Sequence, residues 1–192
     1  MQSKASQYRD KDDIRPLPPI PADLVVGMRQ LVDEVINANE LTLFEKLGGV
    51  YKFLDRYNAF VSTFSVCGKG CAHCCRIGVT VSCLEAEYIT VNGGPELDRD
   101  TVNTLVPGAP CPFLTTEKEC SIYATRPFNC RTFHTLDDPK YCVDGNERHQ
   151  TYGSAGFGYR VDLYSELARW LKEIHQRKGL PYRDIRDWFP VR

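Results

Sequence analysis

Apolar residues recur at helical spacing in two stretches of the N-terminal half. The first stretch covers residues 22–38, and the second, residues 41–64, carries a wider apolar face. A repeat of apolar positions every three or four residues is typical of amphipathic α-helices whose apolar side faces a core. We therefore expect two packed helices, with a bend in the second at Gly48–Gly49.

Two further helices are predicted from their boundary residues. The sequence SCLE at Ser82–Glu85 matches a capping box, which predicts a short helix over 83–91. The last long amphipathic pattern spans 161–178, and Gly179 stands where a helix-ending glycine is expected.

The remaining segments have weaker patterns. Residues 92–106 indicate a turn and another helix or helical turn, and the tail 182–192 a short turn that packs Trp188 and Phe189. Strand signals are few, at 79–81 and 121–123. The prediction is a mainly α fold: a small single domain with helices packed around an irregular, loop-rich cysteine and metal centre.

The order of these patterns also predicts the domain organisation. Residues 1–21 are polar and then rich in proline, which indicates a flexible N-terminal arm. Residues 22–192 are expected to form a single helical domain, and its cysteine-rich core spans 64–145.

Charge and composition exclude several classes of protein. The 192 residues carry a net charge of −1, with 42% hydrophobic and 26% charged residues, which are ordinary globular values. This balance gives no electrostatic argument for binding nucleic acid or membranes. The N-terminus lacks the apolar centre of a signal peptide. We expect a cytoplasmic protein with an unknown protein or redox partner.

The nine cysteines change this picture. Disulfides are rare in the cytosol, so dense cysteines there indicate metal binding or catalysis, and an odd number argues against complete pairing. Cys83 lies just after the helix cap, and we expect it to pack in the core. The other eight are the candidate metal ligands: Cys67, Cys71, Cys74, Cys75, Cys111, Cys120, Cys130 and Cys142.

Eight thiolates make two sets of four, which is the number that zinc and cubane iron–sulfur clusters each require. Cys74 and Cys75 are adjacent, and consecutive side chains usually diverge, so they could serve different metals. The spacing leaves open one cluster with spare thiols or two sites.

The motifs around these cysteines resemble a known family. CGKGCAHCCRIGVTVSCLEAEYI, PCPFL at 110–114 and CSIYATRPFNCRTF at 120–133, followed by Cys142, are similar to the YkgJ-type cysteine-cluster family, also called the zinc- or iron-chelating CxxCxxCC domain. The resemblance covers residues 64–145 and implies that the same eight cysteines are ligands. One departure is the spacing after Cys67, where three residues stand and family members commonly have two.

The resemblance implies metal or iron–sulfur binding, with no general reaction. We favour an iron–sulfur cluster, [4Fe–4S], one or two per chain, over zinc, because aromatic residues expected around the cysteines would shield a cluster from water. These residues are Phe113, Tyr123, Phe128 and Phe133. A redox or electron-transfer role is the first hypothesis.

Two other functions stay open. One is a cluster-dependent modifying enzyme, since flagellin lysine N-methylases carry a similar cysteine set, and the other is a zinc-stabilised interaction module. Whether the chain is an enzyme, with oxidoreductase or methyltransferase-like activity, is left open. Cys67, Cys71 and Cys74 also match the spacing of radical S-adenosylmethionine enzymes, but the chain after them is too short for most of the barrel of those enzymes.

Charged residues beside the cysteines have candidate roles. Arg126 and Arg131 flank Cys130, and a guanidinium near a cluster can donate hydrogen bonds to sulfur and offset its negative charge. We predict both as cofactor-binding residues, against the alternative of a surface ion pair. His73 and His134 are expected to be loop residues rather than ligands, and Asp137 and Asp138 to be turn residues.

Overall fold

The helices lie mostly at the two ends of the chain. The structure, a computed structural model, describes residues 12, 16–68, 70–100, 106–143, 149–153 and 158–190. In these residues the α-helices are α1 (Ala22–Leu31), α2 (Leu43–Val61), α3 (Cys83–Val91), α4 (Phe128–Arg131), α5 (Asp162–Lys178) and α6 (Ile185–Trp188). A π-helical turn, Val32–Ile36, extends α1, and 3-10 turns lie at His73–Arg76, Tyr123–Thr125 and Pro139–Val143. The fold is mainly α, as predicted.

The predicted helix boundaries agree with the structure to within a few residues. Capping boxes begin two helices: Ser82 with Glu85 at α3, as predicted, and Thr42 with Glu45 at α2. In each box the hydroxyl accepts from a backbone amide and the carboxylate accepts in return, which satisfies amides that the first helical turn leaves unpaired. At its other end, α5 stops at Gly179, whose φ of 62° is in the left-handed region.

Helix α2 runs unbroken through the Gly48–Gly49 pair, where the sequence suggested a bend. The glycines serve close packing instead. A Cβ on Gly49 would lie 2.7 Å from Val35 Cγ1, and one on Gly48 would lie 3.2 Å from the Tyr88 hydroxyl. The absence of side chains therefore lets the π-helical turn and α3 approach α2 closely.

The strands are short and form two small sheets in the described part of the chain. Antiparallel β1 (Thr80–Ser82) and β5 (Tyr182–Asp184) pair with Thr80 opposite Asp184. The second sheet has the order β2 (Phe133–Thr135), β3 (Thr151–Gly153), β4 (Gly158–Arg160), in which β2 and β3 are antiparallel and β3 and β4 are parallel. Strand β1 lies at the predicted position, shifted by one residue.

The first of two core clusters lies mainly among α1, α2 and α5. Its centre is a group of tyrosines: the hydroxyls of Tyr57 and Tyr152 are 2.6 Å apart, and the Tyr164 ring packs on Tyr57 with centroids separated by 5.3 Å. Phe128 and Leu136 also belong to this cluster. The first core therefore reaches the segment that carries α4 and β2.

The second core cluster gathers α3, β1 and the C-terminal helix α6. Trp188 is fully buried, and its indole nitrogen donates to the Val81 carbonyl at 3.0 Å. Phe113 and Phe189 pack edge to face, with ring centroids 5.0 Å apart. This cluster confirms that the tail packs Trp188 and Phe189, and it anchors the loop around Phe113.

Other predictions are wrong or lie outside the described residues. The strand at 121–123 is wrong, because this segment turns into the 3-10 turn Tyr123–Thr125. Most of the arm, and residues 101–105 of the helix expected near 92–106, lie outside the described residues; 94–100 contain bends but no helix. Within the described ranges, no helix combines the length and apolar character needed to cross a membrane.

Candidate metal centre

Eight of the nine cysteines lie on loops, on short turns or in the four-residue helix α4, outside the long helices. All nine are free thiols, and seven of them are half-buried. Cys67 and Cys71 follow α2, Cys74 and Cys75 lie on the turn His73–Arg76, Cys111 and Cys120 lie on a loop closed by a bridge between Leu114 and Cys120, Cys130 lies in α4, and Cys142 lies on the turn Pro139–Val143. Elements distant in sequence therefore bring the thiols into one region.

Three of the thiols surround the end of β2. The Thr135 amide donates to the Cys67 sulfur at 3.3 Å. Burial raises the pKa of Cys142 to about 12, and the neighbouring Cys67 and Cys71 add to this rise. Burial likewise raises the pKa of Cys67 to about 11, with Cys71 contributing. We call Cys67, Cys71 and Cys142 the Thr135 group.

Four other thiols lie toward the second core. The Cys111 amide donates to the Cys75 carbonyl at 2.7 Å. Burial raises the pKa of Cys130, and Cys111, Cys120 and Cys75 raise it further. Burial also raises the pKa of Cys111 to about 11, with contributions from Cys75 and Cys120. We call Cys75, Cys111, Cys120 and Cys130 the Arg186 group, after the arginine described below.

Cys74 lies between the two groups. Its pKa is raised by a hydrogen bond shared with the Cys75 thiol, by burial, and by the nearby Cys75, Cys130 and Cys67. The same hydrogen bond lowers the pKa of Cys75 to about 7, and Arg186 and Arg76 act in the same direction. The two adjacent thiols are therefore hydrogen-bonded to each other, with the positive charges of Arg186 and Arg76 on the Cys75 side.

Cys83 is separate from the other eight. It is 1% exposed and packs in the second core. Burial and then Glu87 raise its pKa, while Arg99 opposes the rise, and its sulfur is 3.7 Å from the Arg99 guanidinium. The structure thus places Cys83 in the core, where the sequence predicted it.

Arg126 lies among the thiols, where the sequence predicted a cofactor-binding residue. Its positive charge opposes the raised pKa values of Cys67, Cys120 and Cys130. The guanidinium packs over the Tyr123 ring at 3.9 Å, and its buried Nε has no hydrogen-bond partner among the described residues. Arg126 therefore places positive charge near thiols of both groups, and it keeps one buried donor without a partner among the described residues.

Arg131 is fully buried, and its guanidinium contacts protein groups. It pairs with Asp55 at 2.5 Å, donates to the carbonyls of Ala124 and Arg126, and lies over the Tyr51 ring at 4.2 Å. These contacts fix the loop that leads to Cys130 against α2. The alternative of a surface ion pair is wrong for Arg131, because its guanidinium is fully buried. The cofactor-binding role of Arg131 stays a prediction.

Arg186 is a residue that the sequence reasoning missed. Only 6% exposed, it donates to the carbonyls of Cys75 at 3.4 Å, Ile77 at 3.2 Å and Ala109 at 2.7 Å, and it pairs with Asp184 at 3.0 Å. It therefore joins the two loops that carry Cys75 and Cys111. Its Nε is buried without a partner in the described part of the chain. These contacts join residues that are far apart in the sequence, so no local sequence pattern predicts them.

Glu85 does more than close the capping box. Its carboxylate is 3% exposed and also accepts from the Tyr51 hydroxyl at 3.0 Å and from the Phe128 amide at 2.6 Å. It therefore ties the start of α3 to the start of α4, the helix that contains Cys130.

Asp137 and His149 form a buried pair beside the Thr135 group. Asp137 is fully buried and accepts from His149 Nδ1 at 3.0 Å, from the Thr135 hydroxyl at 2.7 Å and from the Gln150 amide at 2.6 Å. This network links β2 to the segment before β3. The expectation of a simple turn residue is wrong for Asp137, whereas Asp138 does close a turn by accepting from the Lys140 amide.

The remaining candidates are His134 and the aromatic residues that were expected to shield the cysteines. His134 is buried, and burial, followed by Arg126, lowers its pKa to about 4. Phe113 and Phe128 are buried as expected, but Tyr123 is 61% exposed, so it does not shield the cysteines as predicted.

The donor chemistry suits a thiophilic metal. Reduced thiols from five separate segments lie in one region, and the half-buried Arg126 and the buried Arg186 each have a buried Nε with no hydrogen-bond partner among the described residues. Thiolates are the ligands of zinc and of iron–sulfur clusters. In the described ranges, no group of three or more Cys, His, Asp or Glu side chains is arranged to hold a metal ion as it stands.

A cysteine-rich metal-chelating domain is the class that these features define. The family model CxxCxxCC, described as “Putative zinc- or iron-chelating domain”, matches residues 66–152. This match confirms the resemblance of residues 66–152 to a zinc- or iron-chelating CxxCxxCC domain that the cysteine motifs predicted. The match contains all eight candidate ligands and His149, whereas Arg186 lies beyond it. Comparison with curated proteins and with solved structures gives no significant match.

Proposed function

We propose that the CxxCxxCC domain binds iron through its eight cysteines as one or two iron–sulfur clusters and acts in electron transfer. The observation that carries the proposal is the sorting of the thiols: eight lie among one another on loops, and the ninth is in the core. A domain that needed cysteines only for packing would have no reason to keep seven of these eight half-buried and near one another.

The charges around the thiols support iron–sulfur over zinc. Four thiolates leave an iron–sulfur cluster with a net negative charge, which nearby cations and N–H donors stabilise. Arg126 lies near both groups, and Arg186 lies near Cys75 and Cys111. In both, a buried Nε has no hydrogen-bond partner within the described ranges.

The chain would bind, shield and position the cofactor. A bound iron–sulfur cluster would supply reversible one-electron chemistry. Phe113 and Phe128 would keep water from the sulfurs on the inner side, while the arginines would hold the loops and offset charge. The electron donor or acceptor would be a second protein in the cytoplasm.

Metal and acid-labile sulfide content tests the proposal directly. The protein is purified without oxygen, and iron, zinc and sulfide are measured per chain together with the visible spectrum and the electron paramagnetic resonance of the reduced form. We expect iron with equimolar sulfide, a brown colour and a signal that appears on one-electron reduction. Zinc without sulfide would reject the redox proposal and leave a zinc-stabilised module.

Cys83→Ala is the matched control, because this cysteine lies in the second core with Arg99 and Glu87 as neighbours. The variant should keep the full metal content and the spectrum. Loss of metal in Cys83→Ala would contradict the choice of these eight ligands.

A further inference from the structure

We infer that the eight cysteines form two separate four-thiolate sites, one made of Cys67, Cys71, Cys74 and Cys142 and the other of Cys75, Cys111, Cys120 and Cys130. This inference rests on the proposed metal binding, but it concerns which residues share a metal. Neither the spacing of the cysteines nor the family match assigns it.

Backbone contacts separate the two sets. Thr135 joins the first, because its amide donates to the Cys67 sulfur and its hydroxyl lies beside the Cys142 thiol. The second set is joined by the Cys111–Cys75 hydrogen bond of 2.7 Å and by Arg186, which donates to the Cys75 and Ala109 carbonyls. The two sets are thus held by different connections.

Packing makes the same separation. Cys111 and Cys120 lie against the second core, next to Phe113. The Thr135 group lies beside the first core, because α2 ends at the buried Val61 shortly before Cys67, and Leu136 of that core follows Thr135. Each set therefore has its own hydrophobic support.

The number of thiols in each group decides where Cys74 belongs. The Arg186 group already has four thiols, the number that a tetrahedral zinc or a cubane cluster uses. Cys74 lies near Cys67 as well as near Cys75 and Cys130, and the turn His73–Arg76, which carries both Cys74 and Cys75, packs against the turn Pro139–Val143 that carries Cys142. Cys74 therefore completes the Thr135 group, while the adjacent Cys75 belongs to the other site.

Metal stoichiometry of paired variants tests this assignment. Cys142→Ser and Cys130→Ser should each retain half of the wild-type metal, the double variant should retain none, and Cys83→Ala should retain all. Full retention in either single variant would overturn the inference. So would a double variant that keeps as much metal as the single variants.

Partial metal release from the wild-type protein gives a second test that needs no substitution. A chelator removes the metal in steps, iodoacetamide alkylates the exposed thiols, and peptide mass spectrometry maps them. The half-loaded protein should show four alkylated cysteines of one set and four protected cysteines of the other. Alkylated cysteines drawn from both sets in the half-loaded protein would overturn the inference. So would eight thiols that become reactive together at every stage of metal release.

The same data separate the two claims. If the metal is zinc and the half-loss pattern holds, the iron–sulfur proposal fails and the two-site assignment stands. If iron and sulfide are present but the cysteines do not divide as stated, the assignment fails and the proposed function stands.

Discussion

Glu85 shows how one buried carboxylate organises several segments. Its two oxygens accept four hydrogen bonds, two from Ser82, one from Tyr51 and one from the Phe128 amide. The group is nearly inaccessible to water, so its negative charge depends on these donors. An interaction of this kind costs more to break than an exposed cap.

Glu85→Gln is expected to lower the free energy of unfolding by about 2–4 kcal/mol, because the amide nitrogen cannot accept and leaves buried donors unpaired. Denaturant unfolding of the metal-loaded protein measures it. Glu45→Gln is the matched control, since Glu45 closes the same capping box with Thr42 on an exposed turn. Its effect should be clearly smaller; equal losses in both variants would show that the extra contacts of Glu85 contribute nothing.

At the scale of elements, close approach to α2 depends on two small residues. The Gly49 position faces the stiff, branched Val35 side chain, whereas Gly48 faces the end of the Tyr88 side chain. Glycine inside a helix ordinarily costs about 0.5–1 kcal/mol relative to alanine. A favourable packing contact must therefore compensate where glycine is kept.

Gly49→Ala is expected to destabilise the protein by about 1–3 kcal/mol, because the new methyl group overlaps Val35 and forces α2 away from the π-helical turn. Gly48→Ala should be close to neutral, since the helix-propensity gain offsets a contact that the Tyr88 side chain can relieve. Thermal unfolding of the two variants compares them. A more stable Gly49→Ala protein would contradict the packing described here.

The helices are the elements that the sequence predicted well. α1, α2, α3 and α5 are amphipathic or capped, so their signals lie within a few neighbouring residues. The five strands in the described part of the chain have three residues each, which is too short for an alternating pattern to show. The prediction of a strand at 121–123 is wrong because the chain after Cys120 turns instead of continuing as extended backbone.

The site was predictable only in its residue types. The cysteine motifs predict eight donors, and the position of Cys83 after a cap predicted that it packs in the core, where the structure places it. The contacts of Arg186 and Asp137 join residues that are not neighbours in the sequence. The same holds for the hydrogen bonds that Glu85 accepts from Tyr51 and Phe128. Contacts of that kind leave no periodicity or spacing in the chain.

At the scale of the whole molecule, the cysteine loops lie between two hydrophobic cores and are closed by Arg186. Removal of this guanidinium would leave the carbonyls of Ile77 and Ala109 without these donors and separate the Cys75 loop from the Cys111 loop.

Arg186→Ala should therefore lower metal affinity by about 10- to 100-fold, as substitutions in the shell around metal ligands do. Competition with a chromophoric chelator measures the affinity. Arg183→Ala is the control, because Arg183 lies on β5, three residues before Arg186, and its guanidinium packs over the Trp188 ring at 4.8 Å. If Arg183→Ala loses as much affinity, the effect belongs to the C-terminal segment as a whole and not to the contacts of Arg186.

The position of Arg186 also has a consequence for biosynthesis. A ribosome delivers the candidate ligands from Cys67 to Cys142 well before it delivers Arg186 and the helix that contains it. The loops of Cys75 and Cys111 consequently leave the exit tunnel without the side chain that joins them. Until β5 and α6 have been synthesised and have folded onto these loops, the guanidinium that joins the Cys75 loop to the Cys111 loop is missing.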